Sequence, residues 1–283
     1  MRTAQIKVHQ PLLLVFFLLT ATALLAQPYV DPFQVRYTSG FRSKNAYATP
    51  FTHIWAGSDL PLRLKGNTYL LLSPYYEGWN IDSASQKEFV PGVQSLALPL
   101  GLILPLNEKW SLNIMPILRT NGQQLFREKT LQFGGVAFAT YAVNPTKKFR
   151  FGVYMNQEFF GLFVWPLLGT DWKLGKNDHL FALLPGRLTY EHRWSDRWYG
   201  GVTFRALTNS FRLDNGNFVR VDDNQLSLYL DMYPSRKWCI TLEPGYGIAR
   251  KMRTGADSKT YTSVNNMGDG LFLKLSTSYR IRM

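Results

Sequence analysis

The stretch GLFLKLSTSYRIRM, Gly270 to Met283, decides the fold. Leu271, Leu273, Leu275, Thr277, Tyr279, Ile281 and Met283 fall at alternate positions, with Phe272, Lys274, Ser276, Ser278, Arg280 and Arg282 between them. A strand sends successive side chains to opposite faces, so one face here is apolar and the other charged and hydroxylated. At about 14 residues the stretch is far longer than the usual soluble strand of about 5–6. Tilted strands that cross a bilayer need such length, with apolar residues outward and polar ones inward. The pattern predicts a strand that closes a transmembrane β-barrel against the first strand of the sheet.

The opposite end of the sequence sets the compartment. Arg2 and Lys7 precede the apolar run PLLLVFFLLTATALL, Pro11 to Leu25, and Ala26-Gln27 offers a cleavage point after a small residue. This reads as a secretory signal peptide over residues 1–26, with an apolar core too short for a comfortable helical span. Residues 27–283 are then one outer-membrane barrel domain. No Cys follows the apolar run, which argues against a lipid anchor. No later run of about 18 apolar residues exists, so helical membrane spans are excluded. The single cysteine, Cys239, rules out a disulfide-stapled scaffold.

The formal net charge is +13, of which Arg2 and Lys7 contribute two. A basic, aromatic-rich chain raises nucleic-acid binding as a reading. Export and the scatter of basic residues along alternating strands argue against it. Lys and Arg at membrane interfaces, meeting anionic lipid groups, or a positive lumen account for the charge better.

A cadence runs through the chain: apolar strand, short polar turn, bulky ring, strand. The turns are Leu106–Trp110, Asn144–Phe149, Gly175–His179, Trp194–Trp198 and Tyr233–Trp238. Asn, Pro, Gly, Ser and Asp bend the backbone there. The rings Trp110, Phe149, Trp194, Trp198, Trp238 and Tyr279 suit a membrane–water interface. These turns fit the short periplasmic hairpins of a barrel. Asn80–Pro91, Asn121–Lys129, Phe211–Arg220 and Thr254–Gly268 are the expected outer connections. Asn45–Asp59 reads as a strand, a loop or a plug. The expected fold is all-β, an antiparallel up-and-down transmembrane barrel of about twelve strands, within a range of about 10–14. The competing architecture, an exported β-sandwich, also alternates with period two. It fits the strand length and the interfacial rings less well.

Four segments carry a resemblance: NQEFFGLFVWPLLGTDW (Asn156–Trp172), Leu180–Leu213, DDNQLSLYLDMY (Asp222–Tyr233) and SYRIRM (Ser278–Met283). They resemble an uncharacterised outer-membrane β-barrel family of Bacteroidetes-type bacteria. The resemblance implies the fold and the outer membrane, and brings no catalytic residues. Met283 stands where many outer-membrane barrels end in Phe.

The inward-phase ionisable residues are Arg150, Glu158, Arg187, Glu191, Arg193, Arg205, Asp231, Glu243, Lys274, Arg280 and Arg282. Two readings suit them: a structural network of salt bridges filling the lumen, with Glu243 and Asp231 facing the cations of the last strand, or a pathway whose arginine excess favours anions. An outer-membrane lipid-modifying enzyme is the rival of another class. Glu191, His192 and Ser195 invite it, yet Glu191 and His192 point to opposite faces of one strand. No catalytic, cofactor-binding or metal site is expected, because no ligand spacing or phosphate loop occurs. The expected partners are outer-membrane lipid, the barrel-assembly machinery through the last strand, and an unspecified small solute.

Overall fold

The structure, a computed structural model, describes residues 29–41, 49–82, 92–256, 261–265 and 267–282. The expected signal segment lies outside the described residues. The strand segments are β1 (Tyr29–Gly40), β2 (Phe51–Gly57), β3 (Leu60–Arg63), β4 (Tyr69–Leu72), β5 (Tyr75–Ile81), β6 (Val93–Pro105), β7 (Trp110–Gly122), β8 (Leu131–Asn144) and β9 (Lys147–Glu158). They continue as β10 (Gly161–Lys173), β11 (Asp178–Leu184), β12 (Arg187–Arg193), β13 (Trp198–Arg212), β14 (Phe218–Met232), β15 (Trp238–Gly255), β16 (Tyr261–Asn265) and β17 (Gly270–Arg282).

All pair into one antiparallel sheet, which β1 and β17 close from Tyr29–Arg282 to Gly40–Phe272. Three wall strands are broken in two: β2 with β3, β4 with β5, and β16 with β17. The wall therefore has fourteen strands among the described residues.

Fourteen replaces the expected twelve, for three physical reasons. The ambiguous Asn45–Asp59 stretch holds β2, which pairs β1 and β5 as part of the wall. Leu184-Pro185-Gly186 is a true hairpin tip, with Leu183 opposite Arg187. Phe159-Phe160 joins β9 to β10 as a two-residue turn with none of the usual turn residues. Gly161, at φ 115°, supplies the backbone freedom there. The expected outer connection Phe211–Arg220 shrinks to Leu213–Asn217, since β13 and β14 run further than their apolar pattern. Most of Asn80–Pro91 lies outside the described residues.

Burial alternates along β17 as its sequence does. Gly270, Phe272, Lys274, Ser276, Ser278 and Arg280 are buried, while Leu271, Leu273 and Leu275 are exposed. The same inversion runs round the wall: Leu98, Leu118, Phe151, Val153, Leu168, Leu228, Leu230 and Leu242 face out. Leaving such side chains in water forgoes about 1.5–3 kcal/mol each, a cost that a lipid surround removes. Trp110, Trp194, Trp198 and Trp238 cluster at the short-turn end, partly exposed, beside Phe149 and Tyr279. Trp238 meets Tyr279 edge-on at 5.8 Å and Trp110 meets Tyr141 at 4.8 Å. This outward apolar belt suits a chain that spans a membrane, with its short turns at one face.

Two glycines show how tightly the wall is drawn. A Cβ at Gly201 would overlap the Tyr190 carbonyl oxygen of β12, whereas one at Gly66 would meet nothing. Gly201→Val is expected to abolish the folded, fast-migrating band that unboiled β-barrels show on gels. Gly66→Ala, at φ 60°, should keep that band and cost only about 1–2 kcal/mol.

Candidate functional site in the barrel lumen

At the short-turn end the lumen is filled by a lattice of arginines and carboxylates. Arg280 donates from Nε and Nη2 to the two Asp31 oxygens at 2.7 and 2.9 Å, and from Nη1 to Asp231 at 2.6 Å. Arg282 donates to both Glu191 oxygens at 2.7 and 3.1 Å and to the Tyr233 hydroxyl at 2.7 Å. Its guanidinium carbon lies 3.4 Å from the centre of the Tyr199 ring. Arg187 donates to the Tyr29 hydroxyl at 3.1 Å. Strand alternation puts these groups inside, and bidentate arginine–carboxylate geometry locks them.

The loop end is closed differently. The upper half of β13, still paired with β14 as far as Arg212–Phe218, reaches across to the opposite strands: Arg212 bridges Gly122 of β7, and Gln123 N–H donates to the Arg212 carbonyl at 3.0 Å. Ser210 donates to Glu158 of β9 at 2.6 Å, and Asn209 to Glu77 of β5 at 2.5 Å. Glu158 also takes the Arg119 guanidinium. Behind this crossing the inward faces of β2, β5 and β6 meet those of β13, β14 and β15. Phe51, Trp79, Val93, Phe211, Val221 and Met252 form an apolar cluster there.

Between the two closures the lumen keeps space. One cavity of about 650 Å³ and another of about 320 Å³ share Arg36, Trp55, Gly186, Arg205 and Leu207 as walls. Lys274 reaches this middle layer, donating to Glu243 at 2.7 Å and Gln225 at 2.8 Å. Arg205 lies 3.6 Å from the same Glu243.

The larger cavity reaches the wall where the wall is incomplete. The β11–β12 hairpin is half height: its tip pairs Leu184 with Leu168 of β10 and Arg187 with Arg205 of β13. Above it, Gly161–Leu167 of β10 and Ala206–Arg212 of β13 have no strand between them. The opening is framed by Phe163, Trp165 and Leu167 on one side, Phe204, Ala206 and Thr208 on the other, and Leu183, Pro185 and Gly186 below. Arg220 of β14 closes the top by stacking on Phe160 at 4.2 Å and Phe163 at 6.0 Å. Trp165 is in the inward phase of β10 and is nonetheless 45% exposed, because it stands at this opening.

Most of the ionisable residues picked out by phase come together here. Arg280, Arg282, Asp231, Glu191 and Arg187 lie in the turn-end lattice; Lys274, Glu243 and Arg205 in the middle layer; Glu158 at the β13 crossing. Arg150 is buried against Asp171 of β10 at 3.3 Å, apart from the rest. Arg193 is the exception. As the last residue of β12 it reaches solvent at the rim and pairs with Asp196 in the turn. Glu191, His192 and Ser195 do not assemble: Glu191 binds Arg282, His192 lies 2.7 Å from Asp178, and Ser195 accepts from the Arg197 amide. Asp31, Arg36, Glu77 and Arg119 also face the lumen and were not among the residues expected there. Arg36 and Arg119 occupy the inward phase of β1 and β7, so alternation alone could have found them. Glu77 and its partner His53, at 3.3 Å, lay in the N-terminal region of weaker pattern.

Asp231 serves Arg280, Arg282 and Thr241 at once. Asp231→Ala leaves Arg280 with Asp31 and Arg282 with Glu191 but removes their second carboxylate and the Thr241 acceptor, and unfolding in urea should show a loss of about 1.5–3 kcal/mol. Asp196→Ala removes an exposed pair and should change stability by about 0–1 kcal/mol in the same assay.

No protein-family model matches the chain, and no curated protein matches it. Solved structures do resemble it at low identity. The NanC porin is 9% identical, covering 88% of this chain and 100% of its own, with a TM-score of 0.41. An outer membrane channel from Pseudomonas putida F1 is 10% identical, covering 92% and 98%, with a TM-score of 0.48. The Pseudomonas putida toluene transporter TodX is 8% identical, covering 93% and 92%, with a TM-score of 0.41. These likenesses assign neither family nor taxon, and the closed barrel stands on the strand register of this chain itself.

Proposed function

We propose that this chain is a bacterial outer-membrane barrel that takes a small solute into its lumen, in place of a permanently open aqueous pore. One observation carries the reading: a cavity of about 650 Å³ lies between a polar lattice at one end and an apolar cluster at the other. Its size falls in the roughly 300–1,000 Å³ range of small-molecule sites. The export segment Met1–Ala26 and the resemblance of Asn156–Trp172 and Ser278–Met283 to Bacteroidetes-type barrels support the compartment. Outer-membrane lipid would cover the apolar belt. The closing strand β17, with its unbroken alternation, is the element that barrel-assembly machinery would engage.

A second reading, a structural barrel with a filled lumen, is favoured by the buried ion pairs at the short-turn end. Reconstitution separates the two. Proteoliposomes should take up small solutes faster than protein-free vesicles, while planar bilayers show no sustained ohmic conductance. A large steady conductance would contradict the sealed ends. Failure of every small solute to enter would leave the structural barrel.

A further inference from the structure

The central layer of the lumen has more cation than its carboxylates match. Arg36 of β1 and Arg205 of β13 both line the two cavities. Arg36 lies over the Trp55 ring at 4.7 Å, and among the described residues no carboxylate stands within ion-pair distance of it. Arg205 Nη1 is buried without a hydrogen-bond partner. The acid near it, Glu243, faces that nitrogen through Oε2 at 3.6 Å, and its Oε1 accepts from Lys274 at 2.7 Å and from Ser227 at 2.6 Å, so a single carboxylate is shared by Arg205 and Lys274. The other carboxylates lining the larger cavity pair elsewhere, Glu77 with His53 and Asn209, and Asp222 with Arg220 and Thr208 through Oδ1 and with Arg253 at 3.8 Å through Oδ2; Asp59, on the smaller cavity, accepts from Ser73 at 2.7 Å. Two guanidinium groups and an ammonium against one shared carboxylate leave cationic charge under-compensated inside the lumen, and a planar oxyanion relieves it by accepting two parallel N–H bonds.

From this cationic centre the larger cavity runs outward to the gap above the half-height hairpin. Its walls there are apolar and aromatic: Phe163, Trp165, Leu167, Leu183 and Phe204. The gap opens within the lipid belt, since the outward neighbours Leu162, Val164 and Leu168 on β10 are strongly exposed. Beside it the outward phase of β13 and β14 changes from Trp198, Val202, Leu230, Leu228 and Leu226 to Ala206, Thr208, Ser210, Asn224, Asp222 and Arg220. Residues that would meet lipid in an unbroken wall line the cavity instead. A charged end at the centre and an apolar path to the bilayer define a ligand with one anionic head and a hydrocarbon body.

Building on the solute-uptake reading above, we propose that the lumen binds an amphipathic monoanion of the medium-chain carboxylate class. Its head sits between Arg36 and Arg205, its body lies along Phe163, Trp165 and Phe204, and it enters sideways from the outer-membrane bilayer through the gap between β10 and β13.

The test uses the refolded chain with decanoate, decanol and acetate as probes. Binding is followed by intrinsic tryptophan fluorescence and uptake in proteoliposomes. Decanoate should bind saturably, at least about tenfold more tightly than decanol or acetate. Arg36→Gln with Arg205→Gln should remove that preference while leaving decanol binding unchanged, and Arg36→Lys should keep part of it. Gly186→Trp should slow decanoate uptake from the bilayer severalfold. A side chain fits at Gly186, where a Cβ meets only the Leu183 carbonyl at 3.5 Å. Heat-modifiable migration checks that each variant folds; should the double arginine variant fail to fold, the Arg36→Gln variant and competition of decanoate by decanol decide. Equal binding of decanoate and decanol, or decanoate uptake untouched by Gly186→Trp, overturns the proposal while general solute uptake stands. Loss of uptake for every solute overturns both.

Discussion

Every amide of a strand buried in hydrocarbon needs a protein partner, and the pairing of β1 with β17 supplies the last set of them. The rest of the structure follows from that closure. Alternation then sorts the side chains, sending Leu271, Leu273 and Leu275 to lipid and Lys274 and Arg280 to the lumen. Burying those cations demands acids on the neighbouring strands. Glu243 sits opposite Lys274 across the β15–β17 register, and Asp31 and Asp231 flank Arg280 from β1 and β14. The seam is thus clamped twice, by its backbone ladder and by a lattice tying the first and last strands to β12 and β14. The lattice also blocks the short-turn mouth. What makes the seam stable removes the simplest route through the barrel.

The place where closure is incomplete lies between β10 and β13. A half-height hairpin leaves two strand edges facing each other, and unpaired edges in lipid are costly. The chain manages both. Pro166 sits in the exposed stretch of β10 and brings no amide hydrogen. The β13 strand keeps its β14 ladder on one edge, and its upper half spends its other polar groups on β5, β7 and β9 through Asn209, Arg212 and Ser210. This reach across the barrel therefore closes the loop-side mouth and opens the side of the barrel. The internal space reaches the wall, with the ionic lattice at one end and the β13 contacts at the other.

The sequence declared its barrel wherever strands stay in the wall, because period-two alternation is the direct imprint of a two-sided environment. In β17, in β15 from Trp238 to Ile248 and in the lower half of β14 the apolar and polar phases match exposure, and beyond Ala249 of β15, at φ 53°, the match inverts, with Lys251 exposed and Met252 buried. Legibility fails where the environment is no longer two-sided. Phe211–Arg220 looked like a polar loop because both faces of the upper β13 and β14 are inside the molecule, so Ser210 and Asp222 replace leucine without leaving the sheet. Phe159-Phe160 turned without turn residues because Gly161 alone carries the left-handed backbone. Arg36 and Arg119 were legible by phase, but their role was not: it depends on which carboxylates of distant strands are already taken. Pairing across a lumen is a property of register, and register is not written in any one strand.

On the proposal made above, the lumen communicates with the bilayer through its side. A nitroxide on Ala206→Cys, with the buried Cys239 changed to Ser, reports this directly by power-saturation spin resonance. Accessibility to oxygen dissolved in the lipid should be high and accessibility to a water-soluble nickel chelate low, as at the lipid-facing Leu228. A nitroxide reached mainly by the water-soluble chelate, or by neither reagent, would contradict the account.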